Sequence, residues 1–208
     1  MVKRDTTFAE LLAAPEVEET CILRSTRLGF LAYHGGELEK VTDIVAREAA
    51  ERSGASYYGV TQREDPLHHI ASTRVDPDAS EKLRSILDHV DAVITVHGYG
   101  RKTMKKSVLL GGRNRELSGH IACHLRPVLD GYEIIDELEE IPKILRGQHP
   151  QNPVNLAPQQ GVQIELPPTI RWNYPAREWS DFGDAGRAAD TETLIEALTV
   201  AAAAWIER

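Results

Sequence analysis

Six short apolar, β-branched runs alternate along the chain with stretches of helical periodicity: Cys21 to Leu23, Leu28 to Tyr33, Tyr57 to Val60, Ala92 to Val96, Val108 to Leu110 and Val162 to Leu166. Runs of this length, rich in residues that fit a pleated and packed surface, read as buried strands. Between them, Leu38, Val41, Ile44, Val45 and Ala49 recur at helix spacing, and the pattern stops at Gly54, a residue suited to the left-handed turn beyond a helix end. Ala79 to Val90, Glu116 to Leu129 and Thr191 to Ile206 follow the same periodicity, the last with Asp190 placed to cap it. Strands interleaved with helices predict an α/β fold of three layers around a mixed central sheet. At 208 residues the chain is expected to form one domain, residues 1–208. Seven of the eleven prolines fall between Pro142 and Pro175, so that stretch is expected to be extended loop wrapped around the Val162 to Leu166 strand.

Composition narrows the function classes. No apolar run approaches the roughly 20 residues needed to cross a bilayer, so no membrane partner is expected. Lys3 and Arg4 are not followed by an apolar segment of the kind a secretion signal needs, so the chain is expected to be cytoplasmic as synthesised. A net charge of -8 argues against a general nucleic-acid surface, because backbone binding works by releasing phosphate counterions through Lys and Arg. Cys21 and Cys123 stand far apart and form neither a disulfide framework nor a thiolate metal site; both are read as buried thiols.

The chemistry is carried by histidine and glutamate. His34-Gly35-Gly36-Glu37 lies between an apolar run and the helical pattern that starts at Leu38, where an imidazole and a carboxylate can converge on one ion. His97 ends another run, and open α/β sheets gather their ligands at the carboxyl ends of strands. Catalytic zinc is typically held by three such side chains with a fourth position left open, and His34, Glu37 and His97 supply that set. In Gly161 to Leu166, alternation puts Val162, Ile164 and Leu166 on one face and Gln163 and Glu165 on the other, so Glu165 is an acid in an apolar strand that needs a partner or a purpose. Beside a metal it would serve as the base that takes a proton from water; the alternative is a buried acid paired with Arg171. His120 and His124, at i, i+4 on a helix, form a rival pair, with Ile121 where a metalloprotease motif carries its glutamate. Arg101, Lys102, Lys105, Lys106, Arg113 and Arg115 lie together without an acid among them. They form either a patch that draws in a polyanion or a solvated loop, with Arg113 as the candidate for holding a substrate carboxylate.

In order along the chain, His34-Gly35-Gly36-Glu37, Leu67 to Thr73, Val96-His97-Gly98-Tyr99, Gly111-Gly112 and Gly161 to Leu166 resemble the phage-related poly-γ-glutamate hydrolase family, compact relatives of the zinc carboxypeptidases. The resemblance spans about Gly29 to Arg171 and implies a zinc carboxypeptidase-like fold. It also implies one Zn2+ per chain and cleavage of γ-glutamyl amide bonds in a polyanionic substrate. Carried over residue by residue, His34, Glu37 and His97 would hold the metal and Glu165 would be the general base. His69 would line the site, and Asn155 would contact substrate in the segment Asn152 to Leu156. Leu156 stands where the family pattern leads one to expect Arg, which keeps open a zinc amidase or deacylase acting on another acyl-amino acid or cell-wall peptide. A non-catalytic relative that binds a polyanion is the third reading. If the chain is phage-encoded, lysis would be its route out of the cell. Oligomeric state is not legible.

Overall fold

The computed structural model describes residues 2, 3 and 5–208. Its main sheet has seven strands: β1 (Val17–Ile22), β2 (Leu28–Gly36), β3 (Ser56–Gln62), β4 (Ala92–Gly98), β5 (Ser107–Leu110), β6 (Glu133–Ile135) and β7 (Gly161–Leu166). They lie in the order β1-β3-β2-β4-β7-β5-β6. The central four, β3, β2, β4 and β7, are parallel; β1 runs against β3, β5 against β7, and β6 lies parallel to β5. Each apolar run of the sequence falls in one of these strands or overlaps it. β6 is the exception to that correspondence, because Glu-Ile-Ile is too short to show an alternation.

Four longer helices flank the sheet: α1 (Thr42–Ser53), α2 (Glu81–His89), α3 (Arg115–Leu125) and α4 (Ala189–Ile206). On one face, Phe30, Ala32, Ile94, Val96, Val162 and Ile164 pack against Val45 and Ala49 of α1, Leu117 and Ile121 of α3, and Leu194 and Leu198 of α4. Alternation along the same strands sends Leu31, Tyr33 and Val93 to the other face, where they meet Leu83 and Ile86 of α2, Phe8 and Leu11 of a short N-terminal helix, and the loop residue Val154. Three layers result, as the interleaved pattern predicts. Leu83 is fully buried in the second cluster. Its truncation to Ala is expected to cost about 2–5 kcal/mol, read as a lowered midpoint in urea with unchanged m-value.

Three sequence expectations are corrected here. α1 begins at Thr42 rather than Leu38, because Val41 adopts a left-handed conformation (φ 78°) that no α-helix can contain. The cap of α4 is Ala188 rather than Asp190, which lies in the first turn and accepts a hydrogen bond from the Tyr132 hydroxyl at 2.9 Å. Cys123 is exposed on α3, and Cys21 is half-buried. Among the described residues no helix is long and apolar enough to cross a membrane.

Candidate active site

A β-bulge assembles the site. β2 and β3 pair in register as far as Ala32 with Gly59 and resume at Gly35 with Thr61, so Tyr33 and His34 together oppose Val60. Strict alternation would turn Tyr33 and His34 to opposite faces; an extra residue in a strand re-aims its neighbours. Both rings lie against His97, with centroids 5.2 Å from it for Tyr33 and 5.0 Å for His34. β4 delivers His97 and β7 delivers Glu165, directly paired across the two parallel strands. His34, His97 and Glu165 therefore meet at the carboxyl ends of parallel strands, where such sheets collect their ligands.

The carboxylate that joins them is Glu39. At Gly36 (φ 72°) the chain turns so closely over β3 that a Cβ there would lie 2.2 Å from the Gln62 carbonyl oxygen. The Glu37 amide then donates to that carbonyl at 2.8 Å, and the Glu39 amide donates to the His34 carbonyl at 2.9 Å. This fold-back brings Glu39 Oε1 to 2.9 Å from His34 Nδ1 and Oε2 to 3.3 Å from His97 Nδ1, and the Gly98 amide donates to Oε2 at 2.9 Å. Glu37, expected as the ligand, is not brought into this group; its carboxylate turns to Lys40 Nζ at 2.8 Å and is about one-third exposed. The difference follows from the helix start, since a helix from Leu38 would have placed Glu37 at its N-terminus, whereas the observed turn spends residues 37–41 on reversing the chain.

His34 Nε2 donates to the Ile70 carbonyl at 2.7 Å. The loop bearing that carbonyl is fixed by buried Gln62, whose side chain accepts from the His68 amide at 2.6 Å and donates to the His68 carbonyl at 2.9 Å. The same loop presents His69 at the exposed mouth, its ring 5.0 Å from that of His34. Donor atoms of His34, Glu39 and His69 all lie within 4.8 Å of one another.

Charge is finely divided within the group. Burial opposes ionisation of Glu39, but His34 and then His97 beside it hold its carboxyl well below the usual carboxylate range. Burial likewise disfavours charge on His34, yet the Glu39 carboxylate outweighs it and raises the imidazole above its ordinary value. For His97 burial prevails over Glu39 and lowers it, leaving a neutral ring. His97 Nε2 is buried without a hydrogen-bond partner. Burial pushes Glu165 well above the ordinary carboxylate value, and the charge of Glu39 adds to this; Gln163 and Arg171 offset part. The Gln163 amide donates to Glu165 Oε1 at 2.8 Å and is itself held by Asn152, whose Nδ2 donates to Gln163 Oε1 at 2.8 Å.

These residues fit a zinc-like cation. The donor set is imidazole and carboxylate, the Nδ1 atoms of two imidazoles face one carboxylate, and that carboxylate is kept ionised. The Ile70 carbonyl on His34 Nε2 is the kind of outer contact that orients a metal-binding ring through its other nitrogen.

Other sequence candidates lie outside this group. Asn155 accepts from the Arg113 amide at 3.1 Å and donates to the carbonyls of Gly147 and His149 at 2.7 and 2.9 Å, which engages its whole amide in loop structure. The Arg113 side chain is exposed and donates through Nε to the Gln148 carbonyl at 2.9 Å. Arg115 is withdrawn from the basic patch, its guanidinium bonding the carbonyls of Leu110, Gly111, Gly112 and Asp136. Arg101, Lys102, Lys105 and Lys106 are exposed on the loop that leaves β4 just after His97. In the rival pair, His120 has both ring nitrogens occupied, by the Ala201 carbonyl at 2.8 Å and Arg208 at 2.9 Å, and His124 Nδ1 bonds the His120 carbonyl.

The three-layer α/β fold is shared by more distant structures, an N-formylglutamate amidohydrolase from Ralstonia eutropha JMP134 (TM-score 0.53, 12% identity) and a putative carboxypeptidase from Burkholderia mallei ATCC 23344 (0.51, 8%). Residues 7–179 match the poly-gamma-glutamate hydrolase family, and the chain belongs to it. A bacteriophage poly-gamma-glutamate hydrolase superposes with a TM-score of 0.77 at 20% identity, over 91% of this chain and 89% of that one. A structure described as YNDL in its apo, zinc-free form gives 0.75 at 20% identity, over 94% and 95%. Among curated proteins, the SPbeta prophage-derived UPF0714 protein YoqZ of Bacillus subtilis (strain 168) is 32% identical over 142 residues, 67% of this chain and 48% of that protein. The chain thus spans about half the length of the curated relative it matches.

Proposed function

We propose that the protein is a zinc-dependent hydrolase of γ-glutamyl amide bonds, with poly-γ-glutamate as its substrate. The observation that carries this reading is the convergence of His34 and His97 on one carboxylate, Glu39, with Glu165 paired in register beside His97. His34, Glu39 and His97 would hold the ion, and His69 would face the substrate from the mouth of the site. What zinc supplies when bound is Lewis-acid polarisation of a carbonyl and acidification of water. Glu165 then acts as base: its carboxylate takes a proton from the attacking water as the oxygen adds to the amide carbon, and returns it to the nitrogen as the C–N bond breaks. A base poised near the working pH suits this exchange, and burial has moved Glu165 in that direction. The family supports the substrate class, and the cations at Arg101, Lys102, Lys105 and Lys106 give an acidic protein a local attraction for a polyanion.

The test is incubation with poly-γ-glutamate and, separately, with peptidoglycan fragments, with zinc present or chelated. Release of γ-glutamyl oligomers that stops on chelation is expected from the first substrate. Hydrolysis of the second alone would replace the substrate assignment, and hydrolysis of neither would overturn the function.

A further inference from the structure

Arg171 ends the single helical turn Pro168–Arg171 and is buried, with 4% of its surface exposed. A buried cation is ordinarily compensated by a carboxylate partner. Here the guanidinium donates instead to three backbone carbonyls: Nη1 to Lys40 at 2.8 Å, Nη2 to Tyr99 at 3.4 Å and Nε to Pro167 at 3.4 Å. The guanidinium carbon lies over the Trp179 ring, 5.0 Å from the centroid. The positions of those carbonyls in the chain are the telling feature. Lys40 follows Glu39, Tyr99 lies two residues beyond His97, and Pro167 lies two residues beyond Glu165. Lys40 also immediately precedes Val41, the residue held at φ 78° in the turn that returns Glu39 to the site. Room for the guanidinium is made by Gly98, where a Cβ would lie 2.6 Å from the guanidinium carbon. Although burial lowers Arg171 to about 10, Glu39 and Glu165 support its charge from a distance, and it stays cationic at neutral pH.

We propose that Arg171 is a positioning residue: one planar guanidinium joins the backbones just beyond Glu39, His97 and Glu165 and so fixes the spacing between the metal-holding pair and the base. This rests on the function proposed for the site. A lysine ammonium keeps the charge but lacks the rigid fork that reaches three carbonyls in different directions.

The test compares Arg171→Lys, Arg171→Met and Gly98→Ala with the unaltered chain. Gly98→Ala matters most, since it leaves the arginine in place and displaces its guanidinium. Four quantities are read: thermal midpoint, zinc affinity by chelator competition, kcat and KM on a soluble γ-glutamyl substrate, and exchange of the Gly98 amide proton in zinc-free protein. Folded Arg171→Lys and Gly98→Ala are expected to bind zinc ~10–100-fold more weakly, as when an outer contact of a metal ligand is lost. kcat should fall by a similar factor at unchanged KM, a split that general destabilisation would not produce. In Arg171→Lys, exchange of the Gly98 amide should accelerate, because its N–H is bonded to Glu39 Oε2. Unaltered zinc affinity and kcat in both folded variants, with unaltered Gly98 exchange in Arg171→Lys, would overturn the proposal. If the unaltered chain neither binds zinc nor cuts the polymer, the proposed function falls while the exchange measurement still decides the positioning role. If Arg171→Met does not fold, Arg171→Lys and Gly98→Ala supply the answer.

Discussion

Glu165→Gln is expected to lower kcat on poly-γ-glutamate by about 10²–10⁴-fold, the usual worth of a positioned acid–base group, with KM and zinc content unchanged. The amide is isosteric with the carboxyl and can keep a hydrogen bond with the Gln163 side chain, so the local packing survives. What disappears is the group that accepts the proton. The same substitution has a second, opposite readout. Because the folded protein raises Glu165 above its ordinary value, the protonated form is the one that folding favours. Its contribution to stability is therefore fully present below the ordinary carboxylate pKa and is lost as pH rises through the raised value. Thermal midpoints of zinc-free protein across that window should fall with rising pH in the unaltered chain and fall less in Glu165→Gln, leaving the inactive variant the more stable one at neutral pH. Equal slopes for the two proteins would show that the carboxyl is not held protonated, and an unchanged kcat would remove Glu165 from the chemistry.

The other large effect separates two glutamates that lie two positions apart. Glu39→Ala should abolish stoichiometric zinc binding and reduce hydrolysis to background, whereas Glu37→Ala should retain both. Zinc-free Glu39→Ala should also lose about 3–5 kcal/mol of stability, because the imidazole of His34 is left buried without the carboxylate that supports its charge. Glu37→Ala removes a partly exposed contact with Lys40 and should stay within about 0.5 kcal/mol of the unaltered chain. Metal analysis of the purified variants and urea titration check both statements. His69→Ala belongs in the same series: retention of zinc would assign the third ligand to His97, and its loss would assign it to His69.

The contrast between Glu37 and Glu39 marks where the sequence stops being legible. The layers could be read because each depends on local pattern, and strands β2, β4 and β7 carry short apolar runs separated by helical periodicity. His97 and Glu165 were readable for the same reason: both sit in regular strand positions, so their faces follow from counting. His34 was found by its residue type, yet its orientation depends on a bulge that simple alternation would have missed. Glu39 lies in a segment whose apolar spacing, Leu38, Val41, Ile44 and Val45, imitates a helix start. Nothing local reveals that Val41 will take a positive φ, a conformation that β-branched residues seldom adopt and that surrounding structure must impose. Gln62 and Arg171 act on backbone groups distant in sequence, which leaves no signature of residue type. Asn155 shows the reverse case, since its amide looks suited to substrate but is engaged by neighbouring loop backbone.

The pairing of His97 with Glu165 across β4 and β7 also guards the fold against misassembly. Were β7 displaced along β4 by one residue, its side chains would exchange faces, and Glu165 would enter the layer lined by Ile94, Val96, Leu117 and Leu198. A carboxylate there would have neither water nor a cation nearby, and the shifted strand would also turn Ile164 away from that layer. The residue proposed as the base would thus also be a lock on strand alignment, and chains trapped in the slipped arrangement would be recognisable by having neither zinc nor activity.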